Sequence, residues 1–206
     1  MDAALFRWVN RLADRSSWAH GAMTDVAKYG ILVFAVLLVL AWWQARRAED
    51  AVTAVSAVVW AAVASLIGFV AVQLIGTAVS RDRPYVAMPS AHLLVARTGD
   101  FSFPSDHATA AAAIAVGLII AGRYTRQVWV GWSAATVALV LGFSRVYVGA
   151  HYPGDVVGGF VLASAVAWGL APFARRLLRP LVEWLRAGPL GVLVVADAPP
   201  AAIRSR

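Results

Sequence analysis

At 206 residues, with 61% hydrophobic side chains, 14% charged ones and a mean hydropathy of +0.71, the chain is too apolar for a water-soluble domain, in which about a quarter of residues carry charge. The length fits one domain, residues 1–206, and the lack of cysteine excludes disulfides and thiolate–metal sites. A formal charge of +7 would suit a nucleic-acid binder, but the arginines sit between apolar runs, which points to a lipid bilayer as the partner and away from nucleic acid.

Residues 1–28 read as an amphipathic interfacial segment, because Leu5, Phe6, Trp8, Val9 and Leu12 alternate with Arg7, Arg11 and Arg15 at helical spacing. Charges at Asp2, Arg7, Arg11, Asp14 and Arg15 interrupt any signal-peptide core. Apolar runs follow near 29–45, 51–79, 106–122, 128–146 and 153–173, each close to the length, about 20 residues, that spans a bilayer. Trp42, Trp43, Trp129, Trp132 and Trp168 lie near run ends, where amphipathic rings meet headgroups. The expected fold is all-α: a polytopic membrane helical bundle of about five transmembrane helices plus the N-terminal interfacial segment. Small residues at Ala108–Ala113, and Gly154 with Gly158, predict close helix approach. Residues 174–206 read as a cytoplasmic or surface-lying tail, apolar over 181–196 but broken by Glu183, Arg186, Gly188 and Pro189.

Five spans place the 46–50 and 123–127 loops and the tail on one side, with ten Lys/Arg against eight on the other. Two of those eight, Arg83 and Arg145, have a chemical use. The Arg-rich side is therefore expected to be cytoplasmic, with the loops at 80–105 and 145–153 facing outward.

Those outward loops carry the chemistry. The first holds Arg81, Asp82, Arg83 and Pro84, then Phe103, Pro104, Ser105, Asp106 and His107; the second holds Ser144, Arg145, His151 and Asp155. Arginine matches phosphate oxygens bidentately, and histidine serves as acid, base or nucleophile near neutral pH. Ser105 reads as the N-cap of a long helix, which puts His107 in its first turn near free N–H groups that favour an anion. Pro153 fits a first helical position, and Asp155 lies one turn beyond His151, in reach of its imidazole.

The pattern resembles the type 2 phosphatidic acid phosphatase superfamily, with its ordered motifs Lys-x6-Arg-Pro, Pro-Ser-Gly-His and Ser-Arg-x5-His-x3-Asp. The third is complete as Ser144-Arg145, His151 and Asp155; the second stands as Pro104-Ser105-Asp106-His107, with Asp for Gly; the first keeps Arg83-Pro84, with Gly76 where the Lys would stand. A second Pro-Ser-x-His, at Pro89 to His92, follows Arg83-Pro84 too closely and starts no apolar helix. The stretch Ser102 to His107, with Arg83-Pro84-Tyr85-Val86 and Leu5-Phe6-Arg7, is similar to the undecaprenyl-diphosphatase branch linked to bacitracin resistance.

The resemblance implies an enzyme of a bacterial inner membrane with an extracytoplasmic site. It implies hydrolysis of undecaprenyl diphosphate, a polyprenyl diphosphate, to the monophosphate and phosphate, recycling the cell-wall lipid carrier without cofactor or metal. In that scheme His151 attacks phosphorus, Asp155 orients it and His107 protonates the leaving oxygen. Arg83, Arg145 and Ser105 hold the phosphoryl oxygens, with Ser144, Asp106, Arg81 and Arg97 as further candidates; Arg97 or Arg81 would take the phosphate that is not transferred. Phosphatidate or phosphatidylglycerophosphate phosphatase is the alternative substrate class, and a non-catalytic lipid-binding or transport protein the alternative of another class.

Overall fold

The computed structural model describes residues 1–196; residues 197–206, with Arg204 and Arg206 of the expected tail, lie outside the described residues. The described residues are helical: α1 (Asp2–Arg15), a 3-10 turn (Ser17–Ala19), α2 (His20–Ala45), α3 (Ala51–Val79), the short α4 (Pro84–Ala87), α5 (Asp106–Thr125), α6 (Trp129–Tyr147), α7 (Pro153–Gly169), α8 (Ala171–Ala187) and a last 3-10 turn (Gly191–Leu193). Helices α2, α3, α5 and α6 are each long and apolar enough to cross a membrane, and α7 with α8 passes as a bent pair.

Local chemistry sets the ends. Asp50 caps α3 by accepting the Thr53 N–H at 3.0 Å and its hydroxyl at 2.6 Å. At its other end α3 stops on Ser80 in the left-handed region, φ 50°. Pro153 opens α7, where the missing N–H costs nothing. Ser105 takes the N-cap position of α5, as expected, but its hydroxyl makes no cap bond.

Helix α5 is the central post, packed against α2, α3, α6 and α7. One apolar cluster (Phe34, Leu118, Leu141) joins α2, α3, α5 and α6; another (Trp60, Ala163, Ala167) joins α3, α5, α7 and α8; a third (Phe6, Val9, Val148, Tyr152) lies under α1. Leu66, Leu74, Leu139 and Val161 are apolar yet exposed. Helices that are hydrophobic inside and outside are solvated by lipid.

Two boundaries differ from expectation. Residues 20–28 belong to α2, so the interfacial helix ends at Arg15. The last span stops at Gly169 and turns through 54° into α8, not running on to 173. Pro172 in the first turn of α8 has no N–H to continue the ladder from α7. The region expected as a tail is thus a helix up to Ala187, with Ala174 and Val182 buried and Leu177, Leu181 and Trp184 exposed. Beyond it, Trp42 donates to the Leu193 carbonyl at 2.8 Å and the Ala196 N–H to the Arg46 carbonyl at 3.1 Å, tying the chain to the loop after α2.

Small residues do bring helices together, though not all where expected. Gly154 and Gly158 admit the Asp2 carboxylate of α1 and the Phe103 ring, not the backbone of a neighbouring helix. Two helices approach closely at Gly117, where a Cβ would lie 2.5 Å from the Ala61 Cα on α3. Gly117→Val is therefore expected to destabilise the bundle by about 1–3 kcal/mol through overpacking. A thermal melt in detergent at or above the wild-type temperature would contradict this packing.

Candidate active site

The loop after α3, the start of α5, the end of α6 and the turn into α7 meet at one end of the bundle, beneath α1. His151, in that turn, is fully buried. Its Nδ1 lies 2.8 Å from the Ser102 carbonyl and its Nε2 3.1 Å from Arg83 Nη1. A carbonyl only accepts, so this acceptor selects the tautomer with the proton on Nδ1 and the lone pair on Nε2. Burial foremost, and then the Arg83 and Arg145 cations, hold His151 below the ordinary imidazole value of 6.5, against the pull of Asp155 and Asp106. A neutral imidazole with its lone pair on Nε2 is the nucleophilic form, and here Arg83 Nη1 donates to that lone pair.

Asp155 is also fully buried, at the third position of α7. Its Oδ2 accepts the Ser102 hydroxyl at 2.5 Å and the Tyr152 N–H at 2.8 Å, and its Oδ1 accepts Arg81 Nη1 at 2.7 Å. The expected direct His151–Asp155 bond is not made: Nδ1 and Oδ2 stand 3.7 Å apart, with the Ser102 carbonyl as the nearer acceptor. Asp155 is linked to the imidazole by way of Ser102, whose hydroxyl it holds.

His107 Nδ1 lies 2.9 Å from Asp106 Oδ1, which also accepts the His107 N–H at 2.7 Å. The carboxylate oxygen selects a proton on Nδ1, and protonating the ring makes Nε2–H available as an acid. Asp106 stands 3.9 Å from His151 Nε2, between the two imidazoles. Its bonds are to His107, and as an ionised carboxylate it has no hydrogen to donate to a phosphate oxygen.

The cations are anchored from behind. Arg83 donates to Asp100 Oδ2 at 2.8 Å and to the Ala150 carbonyl at 3.2 Å. Despite burial, hydrogen bonds from Thr98 and the Arg83 guanidinium keep the Asp100 carboxyl below the usual range. Arg145 donates from Nη1 to the Ala27 carbonyl of α2 at 3.1 Å, while its Nε is buried without a partner among the described residues, as is Ser105 Oγ. An unpaired buried donor costs about 1–3 kcal/mol, a debt that an oxyanion would cancel.

Three other expected ligands are bonded or placed otherwise. Ser144 Oγ donates to the Leu141 carbonyl of its own helix at 2.7 Å, so its only hydroxyl proton is used. Arg81 is committed to two carboxylates, Asp155 and Asp2, each at 2.7 Å. Arg97 is exposed, its guanidinium 5.6 Å from the Tyr85 ring centroid, outside the buried cluster. A cavity of about 50 Å³ opens beside Arg83 and Asp106, lined also by Gln73, Gly76, Thr77 and Asp100. At Gly76 a Cβ would meet nothing closer than the Phe103 carbonyl at 3.5 Å, so the position has room for a side chain.

The family model described as the PAP2 superfamily matches residues 57–179, a segment that encloses every motif from Arg83 to Asp155. The chain belongs to the PAP2 superfamily. It is accordingly a lipid phosphatase, a hydrolase built into the membrane by multiple passes. It is similar to undecaprenyl-diphosphatase BcrC of Bacillus subtilis, 32% identical over 187 residues and 89% of each chain. It also resembles the putative undecaprenyl-diphosphatase YbjG of Escherichia coli, 27% identical over 90% of this chain and 91% of that one. Its fold matches the crystal structure of a transmembrane PAP2-type phosphatidylglycerolphosphate phosphatase from Bacillus subtilis, with TM-score 0.64, 21% identity and 85% of each chain covered.

Within this PAP2 site, sequence reasoning missed Ser102, Asp100 and Asp2. Ser102 heads the very stretch that carries the second motif, and a serine next to a motif is a signal that could have been followed. Asp2 is 79 residues from its partner Arg81, and no local pattern announces it. His92 and His20 both brace α1: His92 Nδ1 lies 2.6 Å from Asp14, and His20 Nε2 2.8 Å from the Ala13 carbonyl.

The buried, cation-flanked setting of His151 leads to a pH prediction. If neutral His151 is the essential base of the free enzyme, kcat/KM falls on the acid side as the ring protonates, and the midpoint lies below 6.5 because the folded-state value is depressed. A midpoint above 6.5 would show that another group, or a differently placed imidazole, governs the acid limb.

Proposed function

We propose that this lipid phosphatase hydrolyses undecaprenyl diphosphate to undecaprenyl phosphate and inorganic phosphate through a phosphohistidine on His151. The observation that carries the reading is the pair of imidazoles, each fixed at Nδ1 by its own acceptor, beside buried Arg145 Nε and Ser105 Oγ that lack partners among the described residues. The substrate class is supported by the two relatives, an undecaprenyl-diphosphatase and a putative one, which match nearly the whole chain.

In the first step the Nε2 lone pair of His151 attacks the terminal phosphorus in line, and the bond from that phosphorus to the bridging oxygen breaks. His107 delivers its Nε2 proton toward the departing lipid monophosphate. Arg83, Arg145 and Ser105 donate to the equatorial oxygens, where charge is greatest in the transition state. In the second step His107, now neutral, takes a proton from water as its oxygen attacks the phosphohistidine. Phosphate leaves and the His151 lone pair returns. The fixed arginines supply positive charge at the transferring group, so the scheme invokes no metal. Apolar outer faces of the helices keep the prenyl chain in the bilayer while the headgroup reaches the site.

The site is assigned to the extracytoplasmic face of a bacterial inner membrane. Of the eight Lys/Arg at the site end, Arg81, Arg83 and Arg145 are bound to carboxylates or carbonyls of the site, leaving five; the opposite end has eight among the described residues. That asymmetry follows the positive-inside rule.

Phosphate release by purified protein from undecaprenyl diphosphate, phosphatidate and phosphatidylglycerophosphate, measured side by side, tests the substrate. The diphosphate is expected to have the highest kcat/KM, and His151→Ala to abolish turnover of all three while the protein stays folded. Preference for a monophosphate would move the assignment to that lipid, and an active His151→Ala would overturn the mechanism. For the topology, a cysteine introduced at the exposed Ala87, unique in a chain without cysteine, is expected to react with an impermeant thiol reagent in intact cells. Labelling only after lysis would place the site on the cytoplasmic face.

A further inference from the structure

Helix α1 lies outside the segment matched by the family model, yet its first residue reaches the site. Asp2 Oδ2 accepts Arg81 Nη2 at 2.7 Å, while its Oδ1 accepts the N–H of Gly154, in the first turn of α7, at 2.8 Å. The other end of the same guanidinium donates to Asp155 Oδ1 at 2.7 Å, and its plane sits 3.9 Å from the Tyr152 ring centroid. Arg81 therefore bridges two carboxylates, one supplied by α1 and one wholly buried beside His151. Only a planar fork with several donors spans two such partners at once.

The rest of α1 is held in register on the same loops. Phe6 packs edge-on against Tyr152 with ring centroids 5.5 Å apart. The Asn10 amide clamps the backbone of His92 from both sides, each bond 2.8 Å. Asp14 pairs with the His92 ring at 2.6 Å, and Ser16 Oγ with the Tyr147 hydroxyl at 2.8 Å. Polar contacts recur along the full length of the helix, which is more than an interfacial anchor needs.

We propose that Asp2 and Arg81 are positioning residues for phosphoryl transfer: α1, through the Asp2–Arg81 bridge, sets the Asp155 carboxylate, which holds Ser102, whose carbonyl fixes the His151 tautomer. The proposal rests on the His151-centred reading above and deepens it. Removing Arg81 leaves a buried carboxylate without the cation bound to it, a strongly unfavourable state. Removing the Asp2 charge frees one arm of Arg81 and leaves its cation neutralised by Asp155 alone.

The two losses differ in sign at His151. The charged groups around that ring are Arg83 from the loop after α3, Asp106 from α5, Arg145 from α6 and Asp155 from α7. Deleting the Asp2 charge makes this environment more positive and disfavours the imidazolium, whereas deleting the Arg81 charge makes it more negative and favours it. General loosening of α1 would not move the acid limb in opposite directions.

The test uses the full-length detergent-purified protein, with Asp2→Asn and Arg81→Gln made singly and together, and His151→Ala as reference. Each single variant is expected to lower kcat roughly ten-fold, the loss of a charge-assisted hydrogen bond, with KM little changed. The acid limb of kcat/KM should fall in Asp2→Asn and rise in Arg81→Gln. In the Arg81→Gln background, Asp2→Asn should add no further loss, since both act through one bridge. Wild-type kcat and pH profile in both single variants, or additive losses in the double, would overturn the proposal. Should Arg81→Gln not fold, the limb in Asp2→Asn decides alone: a downward shift supports the bridge and an unmoved limb overturns it. An active His151→Ala would instead refute the underlying mechanism, so the two failures are distinguishable.

Discussion

The carboxylate of Asp155 has no exposed surface, and a buried charge persists only when its lone pairs are taken up by donors. Here the donors come from three parts of the chain: Ser102 before α5, the Tyr152 backbone at the entry to α7, and Arg81 after α3. The backbone carbonyl of Asp155 accepts the Ser105 N–H at 3.0 Å, which adds the start of α5. Satisfying one anion thus gathers both motif-bearing loops and two helix starts. His151 is carried along, because the residue whose hydroxyl serves Asp155 is the one whose carbonyl receives its Nδ1.

That gathering needs the helices to come close where lipid supplies no hydrophobic drive between them. Gly159 on α7 faces the start of α5, where a Cβ would lie 2.9 Å from the Ser105 carbonyl and 2.8 Å from Thr109 Oγ1. The carbonyl at that spot already serves the Thr109 N–H and hydroxyl, so it cannot retreat cheaply. Gly149, with φ +80° and the His92 carbonyl against it, lets the chain turn between α6 and His151. Glycine at the first position lets the second-motif segment meet α7, and at the second it frees the turn that leads to His151.

Much of this was legible along the chain. Apolar runs announced the spans, and the spacing of Arg83, His107, Arg145, His151 and Asp155 placed them at one end of the bundle, where the structure indeed collects them. What spacing cannot reveal is how each polar atom is used. Ser144 is part of a complete motif, yet its hydroxyl turns to its own helix. Arg81 looked like a free cation because its partner Asp2 is remote in sequence, and Asp106 looked like part of an anion site because its bond to the neighbouring His107 depends on rotamer. The end of the last span was misplaced because 156–173 carries no charge to mark it, while the break comes from the backbone at Pro172.

The central claim is a covalent bond between His151 and phosphorus, and it is tested most directly by trapping that bond. Undecaprenyl diphosphate radiolabelled on its terminal phosphate would be mixed with the enzyme, quenched under alkaline denaturing conditions that preserve phosphohistidine, and the label located by peptide mapping. The account predicts transient, acid-labile label on the peptide containing His151 and none in His151→Ala. Turnover at the normal rate with no labelled protein at any quench time, or label on a residue other than His151, would contradict it.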